Sequence, residues 1–184
     1  MSIEIKFATG NIEKSKEVNS YFEEIRFERI DVPYPEVQGR LEEVASYGVD
    51  YVYDEIKEPV IVEDSGLLIS GLNGFPGPYS SFVFETLGNS GIIKLLEDKK
   101  TRESIFKTVI GYKDNERKKI FEGKIEGEIA EKPRGDNGFG YDPIFKPKNS
   151  EKTFGEMKRE NKNEISHRRR AFSELSSWLN SKDI

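Results

Sequence analysis

Residues 3–22 read IEIKFATGNIEKSKEVNSYF, and this stretch decides the fold class. Ile3, Ile5 and Phe7 alternate with polar residues, the two-residue period of a β-strand, and the alternation stops at Thr9-Gly10-Asn11. Val18, Tyr21, Phe22 and Ile25 then recur at helical spacing, which predicts a helix with these residues on its buried face. Strand, glycine-containing turn and helix in that order begin an α/β unit. Arg26–Val32 predicts a second strand, ended by the Pro33 and Pro35 turn region. Leu41–Ile56 predicts a helix with Leu41, Val44, Ala45, Val52 and Ile56 on or near one face.

Val60-Ile61-Val62 is a β-branched run behind Pro59, the pattern of a short buried strand. Asp64 is expected just past its carboxyl end, where open α/β sheets collect their ligands. Leu67–Ser70 predicts another short strand, and Gly71–Pro78 a long turn. Tyr79–Thr86 and Gly91–Asp98 read as helices separated by Leu87-Gly88-Asn89. Ser104–Tyr112 and Lys119–Ile129 predict an antiparallel pair. Thr153 to Glu156 has capping-box spacing for a short helix, and Ser166 is the expected N-cap of a last helix that buries Ala171, Phe172, Leu175, Trp178 and Leu179. With no repeat, low-complexity tract or linker, residues 1–184 are expected to form a single domain.

Composition narrows the function classes. A chain of 184 residues can bury a substantial core, and with no cysteine it has no disulfide framework, thiolate zinc site or thiol nucleophile. No apolar run approaches the roughly 18–20 residues that span a bilayer. MSIEIKFATG lacks the apolar stretch of a secretory signal, so no membrane association and a cytoplasmic location are expected. The net charge of −5 argues against a general nucleic-acid binder held by phosphate neutralisation. The richness in Lys and Glu is shared with proteins of hot environments.

Four places could carry chemistry. Thr9, Gly10, Asn11 and Lys14 supply backbone N–H groups at a helix start, a hydroxyl, an amide and a cation, the parts of a phosphate cradle. The same residues also read as a helix N-cap with a solvated lysine, and their spacing is not that of a Walker A loop. Glu42, Glu43, Glu63 and Asp64 are candidate metal carboxylates, since Mg²⁺ takes one or two protein carboxylates plus waters and substrate phosphates. Phe139-Gly140-Tyr141-Asp142, ahead of Pro143, offers two aromatics and an acid, or simply a turn packing its rings into a core. His167, the only histidine, stands beside Arg168, Arg169 and Arg170, either a base-reading string or a solvated basic patch.

TGNIEK (Thr9–Lys14), the stretch from Glu63 to Gly91, FGYDPIF (Phe139–Phe145) and ISHRRRAF (Ile165–Phe172), in this order, resemble the Ham1/inosine triphosphate pyrophosphatase family over nearly the whole chain. The resemblance implies an α/β fold with a long mixed central sheet flanked by helices, in two lobes around a cleft. It also implies a homodimer. The implied activity is Mg²⁺-dependent hydrolysis of noncanonical purine nucleoside triphosphates (ITP, dITP, XTP) to the monophosphate and pyrophosphate, which keeps them out of nucleic acid. Carried onto this sequence, the triphosphate falls to Thr9, Gly10, Asn11 and Lys14, the metal to Glu43 and Asp64, and the water-activating role to Asp64, with Ser65 beside the substrate. Glu42 and Glu63 are the adjacent acids. Phe139 would stack on the purine, with Gly140, Tyr141 and Asp142 lining base and sugar. Many relatives carry Trp at the Tyr141 position. Lys162 would neutralise phosphate or touch the base, and His167 or Arg168 would donate to the purine 6-oxo group, which adenine lacks. Two other readings are a Maf-like pyrophosphatase of other modified nucleotides and an RNA-binding module using His167–Arg170. The FGYD and SHR strings argue against the first and the net charge against the second.

Overall fold

The computed structural model describes residues 3–22, 24–35 and 37–181, with the side chain of Ile3 outside the description. Its elements are β1 (Ile3–Ala8), α1 (Ile12–Asn19), β2 (Ile25–Ile30), α2 (Leu41–Ile56), β3 (Val60–Ile69), β4 (Pro76–Gly77) and α3 (Ser80–Leu95). They continue with β5 (Glu103–Lys113), β6 (Lys118–Ile129), β7 (Phe145–Pro147), α4 (Arg159–Ile165) and α5 (His167–Asn180). The sheet runs β2-β1-β3-β5-β6-β7, with β4 attached to β3. β1 pairs parallel with β2 and β3, whereas β3·β4 and β6·β7 are antiparallel, so the sheet is mixed, as the family resemblance implies.

Three expectations need correction. α1 ends at Asn19 rather than running on toward Ile25. The Asn19 side chain donates to the carbonyls of Ser15 and Phe27 and accepts from the Phe27 N–H, binding the helix end to β2. Tyr21 and Ile25 are therefore buried, but in the connection and in β2 rather than on a helix. The short strand at Val60–Val62 and the one at Leu67–Ser70 are a single ten-residue strand, β3. Its first part pairs with β1 (Ala8 opposite Val62), its later part with β4 (Leu67 opposite Gly77), and β5 is its other neighbour in the sheet, so it does not end at Val62. Asp64 thus lies inside a strand, not past its end. The 71–78 turn contains β4, and β7 and α4 went unrecognised because they are too short to show a period.

The chain forms two compact units: residues 1–64, 108–123 and 168–184, and residues 65–107 and 124–167. In the first, Phe7, Phe27 and Phe172 are fully or nearly fully buried, and the Phe172 ring meets the other two edge to face at 5.9 and 5.1 Å. Such pairs contribute about 0.5–1.5 kcal/mol beyond area burial. Ala171, Leu175 and Leu179 complete the buried face expected of α5, with Trp178 packed against it. In the second, Leu67, Ile69, Val83, Ile92, Phe106, Ile129, Phe145 and Phe154 surround a ring cluster in which Phe106 and Phe145 lie 4.9 Å apart. Gly88 has φ 63° and ψ −174°, which breaks α3 where the sequence separates two helices; a residue with a Cβ is strained there.

The loop between β5 and β6 is set by Asp114. Burial opposes its charge, but the N–H groups of Glu116 and Arg117, the Tyr112 hydroxyl and the Arg117 guanidinium outweigh this and hold its carboxyl below the usual range. A depressed folded pKa contributes stability that is full above the unfolded value and lost as pH falls through the folded one. Asp114→Asn is therefore expected to lower the melting temperature at neutral pH. The difference from wild type should close as the pH falls below the ordinary carboxylate range. A gap that persists unchanged in acid would mean that packing, not charge, is lost.

Candidate active site

The first unit holds the acidic and phosphate-binding candidates. β1 ends at Ala8, and Thr9 Oγ1 accepts from the Asn11 N–H at 3.1 Å. Asn11 caps α1, its Oδ1 accepting from the N–H groups of Glu13 at 3.0 Å and Lys14 at 3.1 Å. Gly10 faces open space: a Cβ there would meet nothing within 4 Å. An exposed, positively polarised helix start with an unobstructed glycine is suited to an anion. Lys14, one turn in, places Nζ 3.7 Å from Glu63 Oε1.

Glu63 and Asp64 follow each other on β3 and so point to opposite faces of the sheet. Glu63 is 0% exposed at its side chain and is gripped by Arg168, Nε and Nη2 both at 3.2 Å. Thr108 Oγ1 lies 3.5 Å from the same carboxylate, and Arg168 Nη1 reaches Glu17 Oε2 at 2.6 Å. Burial alone would push the Arg168 guanidinium down, but the two carboxylates outweigh it and hold it above its ordinary value. This is an internal ion network. Asp64, by contrast, is half-buried, as is Ser65 after it. Glu43 is exposed and turned onto the start of α2, where Oε2 accepts from the Arg40 N–H at 2.7 Å and Oε1 is 3.7 Å from the Arg40 guanidinium. Glu42 beside it is half-buried.

Among the described residues, no three His, Cys, Asp or Glu side chains form a cluster able to hold a metal by themselves. The donors are carboxylates only, which fits a hard cation that completes its shell with water and substrate phosphates, the habit of Mg²⁺, rather than zinc.

The second unit holds the aromatic candidates. Phe139 is half-buried, while Tyr141 and Asp142 are buried. Asp142 Oδ2 accepts from the Phe139 N–H at 2.9 Å and from Lys162 Nζ at 2.7 Å. Lys162 Nζ also lies 5.0 Å from the centre of the Phe139 ring, so one cation steadies both the acid and the aromatic. The Tyr141 hydroxyl donates to the Ser80 carbonyl at 2.9 Å, and burial raises the phenol above its usual value, so it remains a donor. His167 is buried and stacks flat on Phe106, with ring centres 4.5 Å apart and planes 3° from parallel.

Thus the structure brings Lys14, Glu63 and Arg168 together in one unit, and Phe139, Asp142 and Lys162 in the other. Arg170 is exposed, and Arg169 lies over the Tyr21 and Phe22 rings. Sequence reading missed Glu17, Thr108 and Phe106. Glu17 did carry a signal: it sits next to Val18 and four residues before Tyr21, on the inward stripe, where a charge requires a partner. Thr108 and Phe106 carried none, because a strand residue does not reveal its neighbour.

A model of the Ham1 family matches residues 5–178. The chain is 49% identical over 180 residues to a Methanopyrus kandleri protein named dITP/XTP pyrophosphatase, covering 96% of each. It is 47% identical to one of the same name from Thermococcus kodakarensis, over 95% of this chain and 96% of that one. Among solved structures it is similar to a HAM1 protein from Coxiella burnetii, with a TM-score of 0.87 and 32% identity over 98% of this chain and 100% of that one. The Ham1 protein of Staphylococcus aureus gives a TM-score of 0.86 at 32% identity over 97% of this chain and 98% of that one.

Proposed function

The chain belongs to the Ham1 family, and from that premise we propose that it hydrolyses the noncanonical purine nucleoside triphosphates ITP, dITP and XTP to the monophosphate and pyrophosphate. The observation that carries this reading is the capped start of α1, with its open glycine and with Lys14 at 3.7 Å from Glu63, the residue before Asp64 on β3. Water adds to the α-phosphorus, the bond to the α–β bridging oxygen breaks, and pyrophosphate leaves. Asp64 orients or deprotonates that water; it is the member of the Glu63–Asp64 pair not enclosed by Arg168. Thr9, Gly10, Asn11 and Lys14 bind the phosphates, and Ser65 contacts the substrate beside Asp64. Glu43 and Asp64 would hold Mg²⁺, which would offset the negative charge of the phosphates.

Phe139 stacks on the purine, with Gly140, Tyr141, Asp142 and Lys162 around base and sugar. His167 or Arg168 donates to the 6-oxo group, a donor that leaves adenine's 6-amino group unpaired. No helix among the described residues is long and apolar enough to cross a membrane; a cytoplasmic location is part of the proposal. A homodimer is part of the proposal: Phe82 and Leu87, 65% and 47% exposed, are apolar surface that a second copy would cover.

With Mg²⁺ present, purified protein is expected to release pyrophosphate, not orthophosphate, from ITP and XTP, and to turn over ATP and GTP poorly. A panel of triphosphates with separate assays for the two products decides it. Stoichiometric orthophosphate, or ATP hydrolysed as fast as ITP, overturns the assignment.

A further inference from the structure

We infer that Asn89 is a positioning residue for the Phe139–Asp142 loop, its side-chain amide holding the Gly140 carbonyl and thereby the direction of the ring proposed to meet the purine. The inference rests on the assignment of that loop to the base. Gly88 interrupts α3, and Asn89 is the first residue after the break. An asparagine in that place ordinarily turns its oxygen back onto the N–H groups of the new helical turn. Asn89 does not, for its Oδ1 is buried and accepts from no described residue. Its Nδ2 donates instead to the Gly140 carbonyl at 3.1 Å, across 51 positions of sequence. A buried amide oxygen without a donor is unfavourable, so local capping does not account for this orientation, whereas the contact to Gly140 does.

The ends of the loop are tied to each other, the Phe139 N–H to Asp142 Oδ2 and the Asp142 N–H to the Phe139 carbonyl. Its middle is tied to α3, on either side of the break: the Tyr141 hydroxyl to Ser80 before it and the Gly140 carbonyl to Asn89 after it. Gly140 has φ 60° and no side chain to resist rotation of its peptides, so an outside donor on its carbonyl fixes the adjoining plane. That plane is the 140–141 peptide; with it fixed, and with the Phe139 N–H held by Asp142, the short segment that carries the Phe139 ring is anchored on both sides of Gly140. Without the donor the loop holds the ring in place for only part of the time, and apparent affinity falls by that fraction. Phosphate chemistry does not depend on it.

Asn89→Asp keeps the shape and the acceptor but sets an oxygen where the donor was, and Asn89→Ala removes the donor without repulsion. For Asn89→Asp, KM for ITP is expected to rise about tenfold with kcat within about twofold, and Asn89→Ala should shift KM the same way by less. Inhibition by inorganic tripolyphosphate, which has no base, should be unchanged. Amide exchange over residues 139–142 should quicken in both variants, while that of β1 stays as in wild type. A fall in kcat at unchanged KM, an equal weakening of tripolyphosphate, or unchanged exchange in the loop overturns the inference. Failure of the wild type to turn over ITP or XTP would instead strike the base assignment, and the exchange measurement, which needs no substrate, would still decide whether Asn89 holds the loop.

Discussion

Asp64→Asn is expected to lower ITP turnover by about a hundredfold or more, because a lost base or metal contact acts mainly in the transition state. The replacement is isosteric and the side chain is half-buried, so melting temperature should change little. Glu63→Gln is the matched control one residue away. Its carboxylate is enclosed by Arg168 and Lys14 on the other face of the strand, so its loss should be felt in stability and much less in turnover. Steady-state rates on the folded fraction, alongside thermal melts, separate the two. If Glu63→Gln loses the rate and Asp64→Asn only the stability, the roles along β3 are exchanged.

Arg168→Met should produce the largest loss of stability. The Arg168 side chain is 3% exposed and is shared between Glu63 and Glu17, both buried, so its removal takes the guanidinium away from two buried carboxylates. Breaking a buried pair by removing one partner costs about 3–5 kcal/mol. At roughly 2–4 °C per kcal/mol for a chain of this size, the melting temperature should fall by about 6–20 °C. Arg170→Ala, exposed on the same helix, should stay within about 0.5 kcal/mol of wild type. Arg168→Lys keeps the charge and loses the fork, which makes it the variant for base reading. ITP efficiency should fall by about tenfold to a hundredfold with ATP hydrolysis little changed. Equal loss on both substrates would leave Arg168 as a purely internal ion, and an unshifted melt in Arg168→Met would deny the network its role in stability.

The sequence alone determined what short-range chemistry encodes. The strand before Thr9, the bounds of α2, the break at Gly88 and the buried face of α5 all follow from periods of two or 3.6 residues and from glycine, and each is present in the structure. The family followed from four motifs in order. What only the tertiary structure decided concerns partners distant in the chain. Whether β3 stops at Val62 depends on its neighbours β4 and β5 in the sheet, and nothing within residues 60–64 can announce them. Likewise Glu63 and Asp64 are equivalent acids in sequence. They differ because the strand sends one inward to meet Arg168, 105 positions away, and leaves the other half-exposed. Pleat and register assign opposite faces to neighbours, and burial then forces the inward charge to find a partner; both effects come into being only when the strand is in the sheet.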